Sequence, residues 1–427
     1  MRMGFVLLAA AGILLSACSG GDETTSDSDG TTLEMWFHTG KPGERAAMEN
    51  AIARFNAEHP DIQVDLVLIP EDGYGMQLQA AASSGRLPDI IDIDGPWVAN
   101  LAWKGHLLPL EELLAAETQN GLLPSIIKQG TWNDHLYAVG SFDSGLGLYG
   151  NKRLLQAADV PIPEDIAAAW PSAEFREHLT RLAEADEDGA VLDLKLNYSG
   201  EWWTYAFAPV LWSAGAGLID RETMQKSTEV LASPEAVTAM RTIQNWISEG
   251  LVDANADDRA FIDGRVALSW VGHWEYPRYR SALGEDLVLM PLPDFGEGSR
   301  TGQGSWAWAI HARTRNQQAA AQVLEFLLQD EQVLQLTQAN GAVPATLSAI
   351  EASELYGPEG PLRLFAEQLQ HIAVPRPVTP AYPAITDAFQ QAFVSLRNRG
   401  DVAQALLTAA QAIEADIAAN DGYPVVR

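Results

Sequence analysis

The feature that most constrains this fold is a regular alternation of strand-like and helix-like segments that begins at Leu33. Its members are, in order, strand 33–38, helix 43–59, strand 62–70, helix 74–84 and strand 89–94. Pro60 stops the first helix because proline cannot continue a helical hydrogen-bond ladder. A βαβαβ order predicts parallel strand pairing and an α/β layer architecture.

Later segments extend the pattern and suggest two crossings between separate bodies. The apolar runs 288–293 and 307–312 predict strands, 319–328 predicts a helix, and most of the chain from Pro361 is helical, ending with 402–419. Segments 141–152 and 291–306 are rich in glycine or in proline and glycine, which suits hinges between lobes. Ordinary surface loops are the alternative for both segments.

Composition limits the classes of function. The 427 residues include 57 acidic and 27 basic side chains, a formal net charge of −30. Nucleic acid is excluded as a partner, because phosphate contacts require clustered Lys and Arg. Attachment to anionic lipid by broad electrostatics is excluded for the same reason. The single cysteine, Cys18, rules out an internal disulfide framework and a cysteine-based zinc site.

The first residues have the pattern of a secretory signal. Arg2 precedes an apolar run over 3–15, and small residues follow at 16–18. The run is shorter than the roughly 20 residues that a membrane-spanning helix needs. Segment 15–18 (LSAC) also resembles the lipobox of bacterial lipoproteins, which implies a signal peptide over 1–17 and lipidation of Cys18. A plain signal peptide with an incidental cysteine is the alternative. Residues 19–32 are small, polar or acidic and predict a flexible tether, so we assign 18–32 to the lipidated cysteine and its tether.

Several motifs together resemble the family 1 extracellular solute-binding proteins, the sugar-binding, maltose-binding-protein-like receptors of ABC importers. The resemblance extends in order over nearly the whole mature chain. Its carriers are LEMWFHTG (33–40), FNAEHPDIQVDLV (55–67), ASSGRLPDIIDIDGPW (82–97), segments 131–155 and 260–275, GQGSWAWAI (302–310) and NGAVP (340–344).

The resemblance implies an α/β, two-lobed periplasmic-binding-protein fold of type II. Each lobe would be a mixed sheet flanked by helices, and crossover segments would form the hinge between the lobes. We expect an N-terminal lobe from 33–142 with 294–345, and a C-terminal lobe from 143–293 with 346–427. The lobes would close on one solute in the cleft between them.

Tryptophans are the aromatic candidates for ligand contact, because a sugar presents an apolar face that packs on a flat ring. Five of the thirteen lie beside glycine or at expected strand ends: Trp36, Trp97, Trp274, Trp306 and Trp308. Ligands of open α/β sheets bind outside the carboxyl ends of the strands, where Trp36 and Asp94 are expected. We select Trp36, Trp97, Trp274 and Trp306. Trp202 and Trp203 are adjacent, so on a strand only one could face the cleft.

The resemblance also supplies polar candidates. Asp94 and Asp143 stand where the family has acids that bind sugar hydroxyls. Glu44 follows the first strand, where some disaccharide-binding relatives use a carboxylate. Arg376 resembles the arginine that some trehalose- and maltose-type receptors direct into the cleft, and Tyr382 is then expected to pack rather than to bind. The alternative for each carboxylate is a solvated surface charge.

Catalytic and metal chemistry is not expected. Ser125 and Lys128 fit an S-x-x-K pattern but lack its companion elements, and no G-x-S-x-G, H-E-x-x-H or P-loop motif occurs. The histidines lack metal-ligand spacing. We therefore predict a binding protein that is not an enzyme and has no cofactor and no metal.

The expected partners are a mono- or oligosaccharide, the membrane permease of an ABC transporter, and the membrane itself through the lipid anchor. We expect a monomer held on the extracytoplasmic side of the cell membrane. A binding protein for a non-sugar solute, such as a polyol phosphate or a peptide, is one alternative. A lipid-anchored glycosidase or lyase and an adhesion lipoprotein are the others.

Overall fold

The structure is a computed structural model that describes residues 30–71, 73–186 and 188–424. The predicted signal peptide, Cys18 and all but the last residues of the predicted tether lie outside these residues.

The strands are β1 Thr31–His38, β2 Ile62–Ile69, β3 Ile90–Asp94, β4 Thr131–Trp132, β5 His135–Leu136, β6 Ala138–Val139, β7 Phe142–Asp143, β8 Leu146–Asn151, β9 Leu192–Asp193, β10 Leu268–Gly272, β11 Leu287–Met290, β12 Thr301–Gln303, β13 Trp306–Ile310, β14 Val343–Pro344 and β15 Ala373–Pro375. The helices are α1 Pro42–Glu58, α2 Tyr74–Ser84, α3 Val98–Trp103, α4 Ala116–Gly121, α5 Pro124–Gly130, α6 Lys152–Ala157, α7 Ser172–Glu184, α8 Trp202–Ser213, α9 Thr228–Leu231, α10 Pro234–Ser248, α11 Tyr276–Leu283, α12 Gln317–Leu327, α13 Asp330–Asn340, α14 Leu347–Ala352, α15 Arg363–His371, α16 Tyr382–Arg397 and α17 Val402–Ala419.

The first sheet has the order β2-β1-β3-β13-β6. β1 pairs in parallel with both β2 and β3, as the βαβαβ pattern predicts. β13 returns from late in the chain and pairs antiparallel with β3 and with β6. The sheet is therefore mixed, and the carboxyl ends of β1 and β3 lie at the same edge as the beginning of β13. We call the structure around this sheet the N-terminal lobe.

The second sheet has the order β11-β8-β10-β9 and is also mixed. β8 pairs antiparallel with β10 and β11, while β10 and β9 are parallel. Helix α8 packs in the core beside this sheet and is buried along its whole length. A helix that is hydrophobic all round is stable only when fully buried, and the sequence WWTYAFAPVLW satisfies that condition. We call the structure around this sheet the C-terminal lobe.

Two groups of buried hydrophobic residues correspond to the two lobes. One group surrounds the first sheet, from Leu33 to Phe142 and again from Ala307 to Ala345. The other surrounds the second sheet, from Leu146 to Leu292 and again from Val343 to Ile417. The chain crosses between the cores near 143–146, again near 292–306, and a third time after β14.

Two short ladders lie where the chain crosses. β7 pairs with β14, and β12 pairs in parallel with β15. Crossovers near 141–152 and 291–306 are therefore part of the structure, with strands in both. Among the described residues, no helix combines the length and hydrophobicity that crossing a bilayer requires.

Candidate ligand-binding cleft

The edge of the first sheet brings an indole and a carboxylate side by side. Asp94 is the last residue of β3, and Trp306 is the first residue of the antiparallel β13. The two residues are direct partners in the register of this pair. Both are partly exposed, at the end of a sheet where α/β proteins bind their ligands.

Arg376 joins acids from the two lobes. Its Nη1 and Nη2 each donate to one carboxylate oxygen of Asp94, both at 2.6 Å, and Nη1 also donates to Glu201 Oε1 at 2.7 Å. Asp94 belongs to the first sheet, and Glu201 immediately precedes α8 of the C-terminal lobe. The bidentate geometry is the strong form of an arginine–carboxylate pair. Residues of α16 complete the group, because Tyr382 and Thr386 both donate to Glu201.

The arginine of this three-membered ion group is withdrawn from water. The side chain of Arg376 is 2% exposed, and its guanidinium carbon lies 4.8 Å from the centre of the Tyr205 ring. Burial raises the pKa of Glu201, and the guanidinium of Arg376 opposes that rise. Within the described residues, Arg376 Nε is a buried donor without a hydrogen-bond partner. It is thus available to donate a hydrogen bond to a bound hydroxyl or water.

Gly304 allows the backbone to pass close to this group. Its φ is +119°, and a Cβ there would stand 3.0 Å from Gln129 Oε1 and 3.3 Å from Arg376 Nη2. Gln129 bonds both backbone groups of Ser305, at 2.7 and 2.8 Å. The cavity beside Arg376 measures about 20 Å³, which is room for one water molecule. Residues around Arg376 therefore leave little empty space at this point of the structure.

Asp143 lies below this group, in the β7–β14 ladder, and is fully buried. It accepts from the backbone N–H of Ser144 at 2.8 Å and from Gln303 Nε2 at 3.1 Å. Burial raises the pKa of Asp143, while the hydrogen bonds to it act in the opposite direction. Gln303 is on β12, so this acid holds two crossovers together.

A second acidic group lies at the ends of β1 and α1. Glu44 accepts from Asn340 Nδ2 at 2.9 Å and stands 3.5 Å from His38 Nε2. His38 Nδ1 is 2.5 Å from Asp92 Oδ2. We call His38, Glu44, Asp92, Asp94 and Trp306 the N-terminal wall of the cleft.

The opposite side of the cleft is aromatic. Trp274 lies in a short 3-10 helix after β10, and its ring centre is 6.1 Å from that of Trp202 and 6.2 Å from that of Tyr205. Gly272 makes room for it, since a Cβ there would meet the Trp274 ring at 2.1 Å. We call this the C-terminal wall; its members are Tyr198, Glu201, Trp202, Tyr205, Trp274 and Glu275.

Comparison with known proteins identifies the family. Residues 40–334, more than half of the chain, match the family of bacterial extracellular solute-binding proteins. This chain belongs to that family. An uncharacterized lipoprotein of Streptomyces antibioticus is 24% identical over 361 residues, which cover 82% of this chain and 77% of the relative.

Solved structures share the fold of this solute-binding protein. Maltose-bound MalE3 of T. maritima superposes with a TM-score of 0.77 at 21% identity, covering 90% of this chain and 99% of that one. UgpB of Mycobacterium tuberculosis, solved with glycerophosphocholine, has a TM-score of 0.78 at 20% identity, with 91% and 99% covered. The two-lobed, type II binding-protein fold predicted from the sequence is confirmed.

An ion pair also joins the two walls of this solute-binding protein. Lys41, in the loop between β1 and α1, places Nζ 2.7 Å from Glu275 Oε1. Glu275 is fully buried, and it also accepts from Tyr198 and from Arg278, at 3.0 and 3.3 Å. Lys41 and Arg376 are thus two cations whose carboxylate partners lie across the cleft.

The structure brings together most of the residues selected from the sequence. Trp306, Asp94 and Arg376 form one group, and Glu44 belongs to the same wall. Asp143 is bonded to Gln303 of β12, and Trp274 lies beside Tyr205, whose ring also contacts Arg376. Their role in ligand binding stays a prediction.

Two of the selected tryptophans pack against helix α2. Trp36 is 8% exposed and packs in the core between β1 and α2, donating to Glu34 at 2.7 Å. Trp97 is half-buried against Gly75 of the same helix. These positions follow from the alternation of side chains on a strand, which turns Trp36 to the helix-covered face.

The expectation that Trp202 and Trp203 alternate on a strand does not apply, because both lie in helix α8. Trp202 turns toward Tyr198 and Trp274. Trp203 stacks on Phe393 in the core of the C-terminal lobe, with 4.7 Å between ring centres. Tyr382 is fully buried, as expected for a packing residue, yet its hydroxyl also holds Glu201.

Sequence reasoning missed His38, Asp92, Glu201, Tyr205 and Glu275. His38 and Asp92 carried a usable signal, since both lie at or near the ends of parallel strands. The others lie at the boundaries of α8 and β10, whose meeting point depends on the tertiary fold. Within the described ranges, no group of three or more His, Cys, Asp or Glu side chains is arranged to hold a metal ion.

Proposed function

We propose that this protein captures an uncharged mono- or oligosaccharide between its lobes and delivers it to the membrane permease of an ABC transporter. The observation that carries the proposal is the pairing of Trp306 with Asp94 at the lobe junction. An indole face suits the C–H face of a sugar, and a carboxylate held by a guanidinium suits its hydroxyls. The maltose bound by a structure of the same fold supports this choice.

The charges of the cleft favour a ligand without negative charge. The two cations that bridge the lobes are already bound by carboxylates: Arg376 by Asp94 and Glu201, and Lys41 by Glu275. A phosphate or carboxylate ligand would have to displace these acids and would then face them across a few ångströms. Like charges at that distance in a low-dielectric site repel strongly. A neutral polyol avoids this repulsion.

Closure follows from contacts that exist only when both lobes are together. A ligand between the walls would replace part of the Arg376 and Lys41 bridges with its own hydrogen bonds to both lobes. Binding would then stabilise the closed arrangement over the open one, which is the form a permease would recognise.

The ligand contacts we propose are those selected from the sequence. They are Trp36, Glu44, Asp94, Trp97, Asp143, Trp274, Trp306 and Arg376. The lobe limits 33–142 with 294–345 and 143–293 with 346–427 are likewise proposed, and the ranges of the two buried cores support them.

We infer that the carboxylates bind and do not cleave. Asp94, Glu201 and Asp143 are engaged with Arg376 or with amide and hydroxyl donors. Incubation with maltotriose and raffinose tests this inference by chromatography of the products. Release of shorter sugars would favour the glycosidase alternative.

The decisive experiment is calorimetry on the tether-free chain with maltose, maltotriose, raffinose, tagatose and glycerophosphocholine. Binding of a neutral saccharide that the D94N variant abolishes is the expected result. The matched control is D65N, which changes an exposed acid of β2. If only glycerophosphocholine binds, the ligand is a non-sugar solute. If no saccharide in the panel binds, the sugar assignment is refuted.

Anchoring is a separate part of the proposal. We infer that Cys18 is lipidated and holds a monomer on the extracytoplasmic side of the cell membrane. The lipoprotein relative supports this inference. Fractionation of cells that produce the full chain tests it: C18A should move from the membrane to the soluble extracytoplasmic fraction, and wild-type distribution of C18A would contradict it.

A further inference from the structure

His38 is a buried residue of the N-terminal wall that the sugar hypothesis does not use. It ends β1 and is 1% exposed. Its ring lies flat against the indole of Trp306, with 4.1 Å between centres and 9° between planes. A ring in this position determines where the indole can lie.

Both nitrogens of this imidazole face carboxylates. Nδ1 is 2.5 Å from Asp92 Oδ2, and Nε2 is 3.5 Å from Glu44 Oε1. The backbone N–H of His38 donates to the same oxygen of Asp92 at 3.0 Å. An ionised carboxylate only accepts hydrogen bonds, so the Asp92 contact calls for a proton on Nδ1, and the nearby charge of Glu44 favours a second proton on Nε2. The geometry is that of an imidazolium.

The same acids hold the surrounding groups. The backbone carbonyl of Asp92 accepts from the hydroxyl of Tyr74 at 2.5 Å, and the Tyr74 ring meets Trp306 edge-on at 5.1 Å. Trp306 is therefore flanked by two rings that are both anchored to Asp92. Glu44 is held between His38 and Asn340.

We propose that His38 is a positioning residue of the cleft: as an imidazolium hydrogen-bonded to Asp92, ion-paired with Glu44 and stacked on Trp306, it fixes the indole of Trp306 and the carboxylate of Glu44, which are two of the proposed ligand contacts. This inference takes the identity of the ligand from the proposed function. The contacts of His38 with Asp92, Glu44 and Trp306 are present in the structure without a ligand. This arrangement makes the shape of the N-terminal wall depend on pH.

The groups that face His38 determine the direction of this dependence. They are Asp92 on β3, Glu44 on α1, Tyr74 on α2 beyond Asp92, and His273 of the C-terminal lobe beyond Glu44. Burial lowers the pKa of His38, but Asp92 and Glu44 outweigh it and raise the pKa well above 6.5. The imidazolium also lowers the pKa of Glu44, against burial.

The direction in which stability changes with pH follows from the difference between the pKa of His38 in the folded and in the unfolded chain. A histidine whose pKa is raised in the folded state contributes stability that is fully present below about pH 6.5, its unfolded value. That contribution is lost as the pH rises through the folded value. Order in the wall should therefore be lost on the alkaline side, not the acid side.

The first test needs no ligand. Imidazole carbon and nitrogen NMR shifts of the whole chain should show His38 protonated at pH 7.5, and D92N should lower its titration midpoint. A His38 that titrates near pH 6.5 in the wild type, or that D92N leaves unmoved, would overturn the proposal.

Fluorescence tests the coupling to the indole. A protonated imidazole quenches a stacked tryptophan, so the emission that W306F removes should rise with pH through the His38 transition. H38Q should make this component bright and independent of pH, while H135Q, a change at an exposed histidine, leaves the transition in place. Circular dichroism and thermal unfolding establish that H38Q is folded. A folded H38Q with wild-type emission and pH profile would refute the coupling.

Binding completes the test and separates it from the proposed function. H38Q should weaken the saccharide found in the panel about tenfold, as expected for a residue coupled to a contact residue. The affinity of the wild type for this saccharide should fall by the same factor at alkaline pH, whereas the affinity of H38Q should not change. If no saccharide binds the wild type, the sugar proposal fails while the NMR and fluorescence results still decide the role of His38.

Discussion

The two walls of the cleft are built in different ways. The N-terminal wall consists mainly of strand ends from one sheet, where His38, Asp92 and Asp94 are fixed by backbone pairing and Trp306 joins them through register. Glu44 is added to this wall from helix α1. The C-terminal wall consists of residues at a helix start and in a short 3-10 helix, brought together by packing. One wall is rich in charge, and the other is rich in aromatic rings.

This difference teaches where specificity and closure reside. Strand ends hold polar groups in positions that tolerate little movement, which suits hydrogen bonds to hydroxyls. Aromatic rings packed on one another adapt to the outline of a ligand at small cost. Only Arg376 and Lys41 connect the two kinds of wall by ion pairs among the contacts described above, so these residues report on their coupling.

The largest effect should come from removing the cation that both walls share. R376M leaves Asp94 and Glu201 facing each other without the cation between them, and a broken buried pair costs about 3–5 kcal/mol. Urea denaturation measures the loss in free energy of unfolding. R259Q removes an exposed arginine that pairs with Asp263 four residues along the chain, and it should leave the midpoint unchanged. Equal midpoints for R376M and wild type would mean that the walls are not coupled through Arg376.

A pH experiment distinguishes His38 of the N-terminal wall from His273, which precedes Trp274 of the C-terminal wall. Burial lowers the pKa of His273 to about 4, in contrast to His38. A lowered value means that the unfolded chain binds the proton more tightly, so stability is present above pH 6.5 and is lost as the pH falls toward 4. The loss should be about 3 kcal/mol over this range.

The variant H273Q isolates the contribution of His273 to the pH dependence of stability. Its free energy of unfolding, measured by urea at pH 7, 6, 5 and 4, should fall less steeply than that of the wild type. H135Q is the matched control, because His135 is exposed and should not alter the slope. Parallel slopes for H273Q and wild type would contradict a neutral, buried His273.

Binding should depend more on the indole of the charged wall than on that of the aromatic wall. W306A removes the ring beside Asp94 and should weaken saccharide binding by about 2 kcal/mol, roughly 30-fold. W274A should cost less, because Trp202 and Tyr205 remain. W132F, a change outside both walls, is the control. If calorimetry shows a larger loss of affinity for W274A than for W306A, the roles assigned to the two walls are reversed.

The smallest effect should come from the ion pair nearer to solvent. The Lys41 side chain is 39% exposed, and Arg278 remains to hold Glu275 after K41M. We expect about a tenfold shift toward the open arrangement, equal to ~1.4 kcal/mol. Small-angle scattering without ligand should then give a larger radius of gyration. R54M breaks a pair within the N-terminal lobe and should not change the radius.

The comparison of walls also explains what could be predicted from sequence. The helices at 74–84 and 402–419 were predicted to the residue, because a glycine or a change in periodicity marks their ends. Asp94 and Trp306 could be selected because sheet edges are determined by local order along the chain. The parallel pairing of β1 with β2 and β3 follows for the same reason.

The remainder could not be predicted because it depends on contacts between distant segments. Glu201 becomes a site residue only when Arg376, 175 positions later, reaches it. Glu275 depends in the same way on Lys41. The apolar run that contains Trp202 and Trp203 has no regular spacing of polar residues that would distinguish a buried helix from a strand. Helix α8 could not be predicted for that reason.

The place of β13 in the first sheet has a consequence for how the chain folds. β13 lies between β3 and β6, yet it is made after β11, the last strand of the second sheet. The first sheet is therefore incomplete until residue 310 is available, and the second core is incomplete until α17. Neither lobe can finish early, so folding waits for contacts of high sequence separation and should be slow. A chain cut at residue 293 should expose two unfinished sheet edges and aggregate instead of yielding one stable lobe.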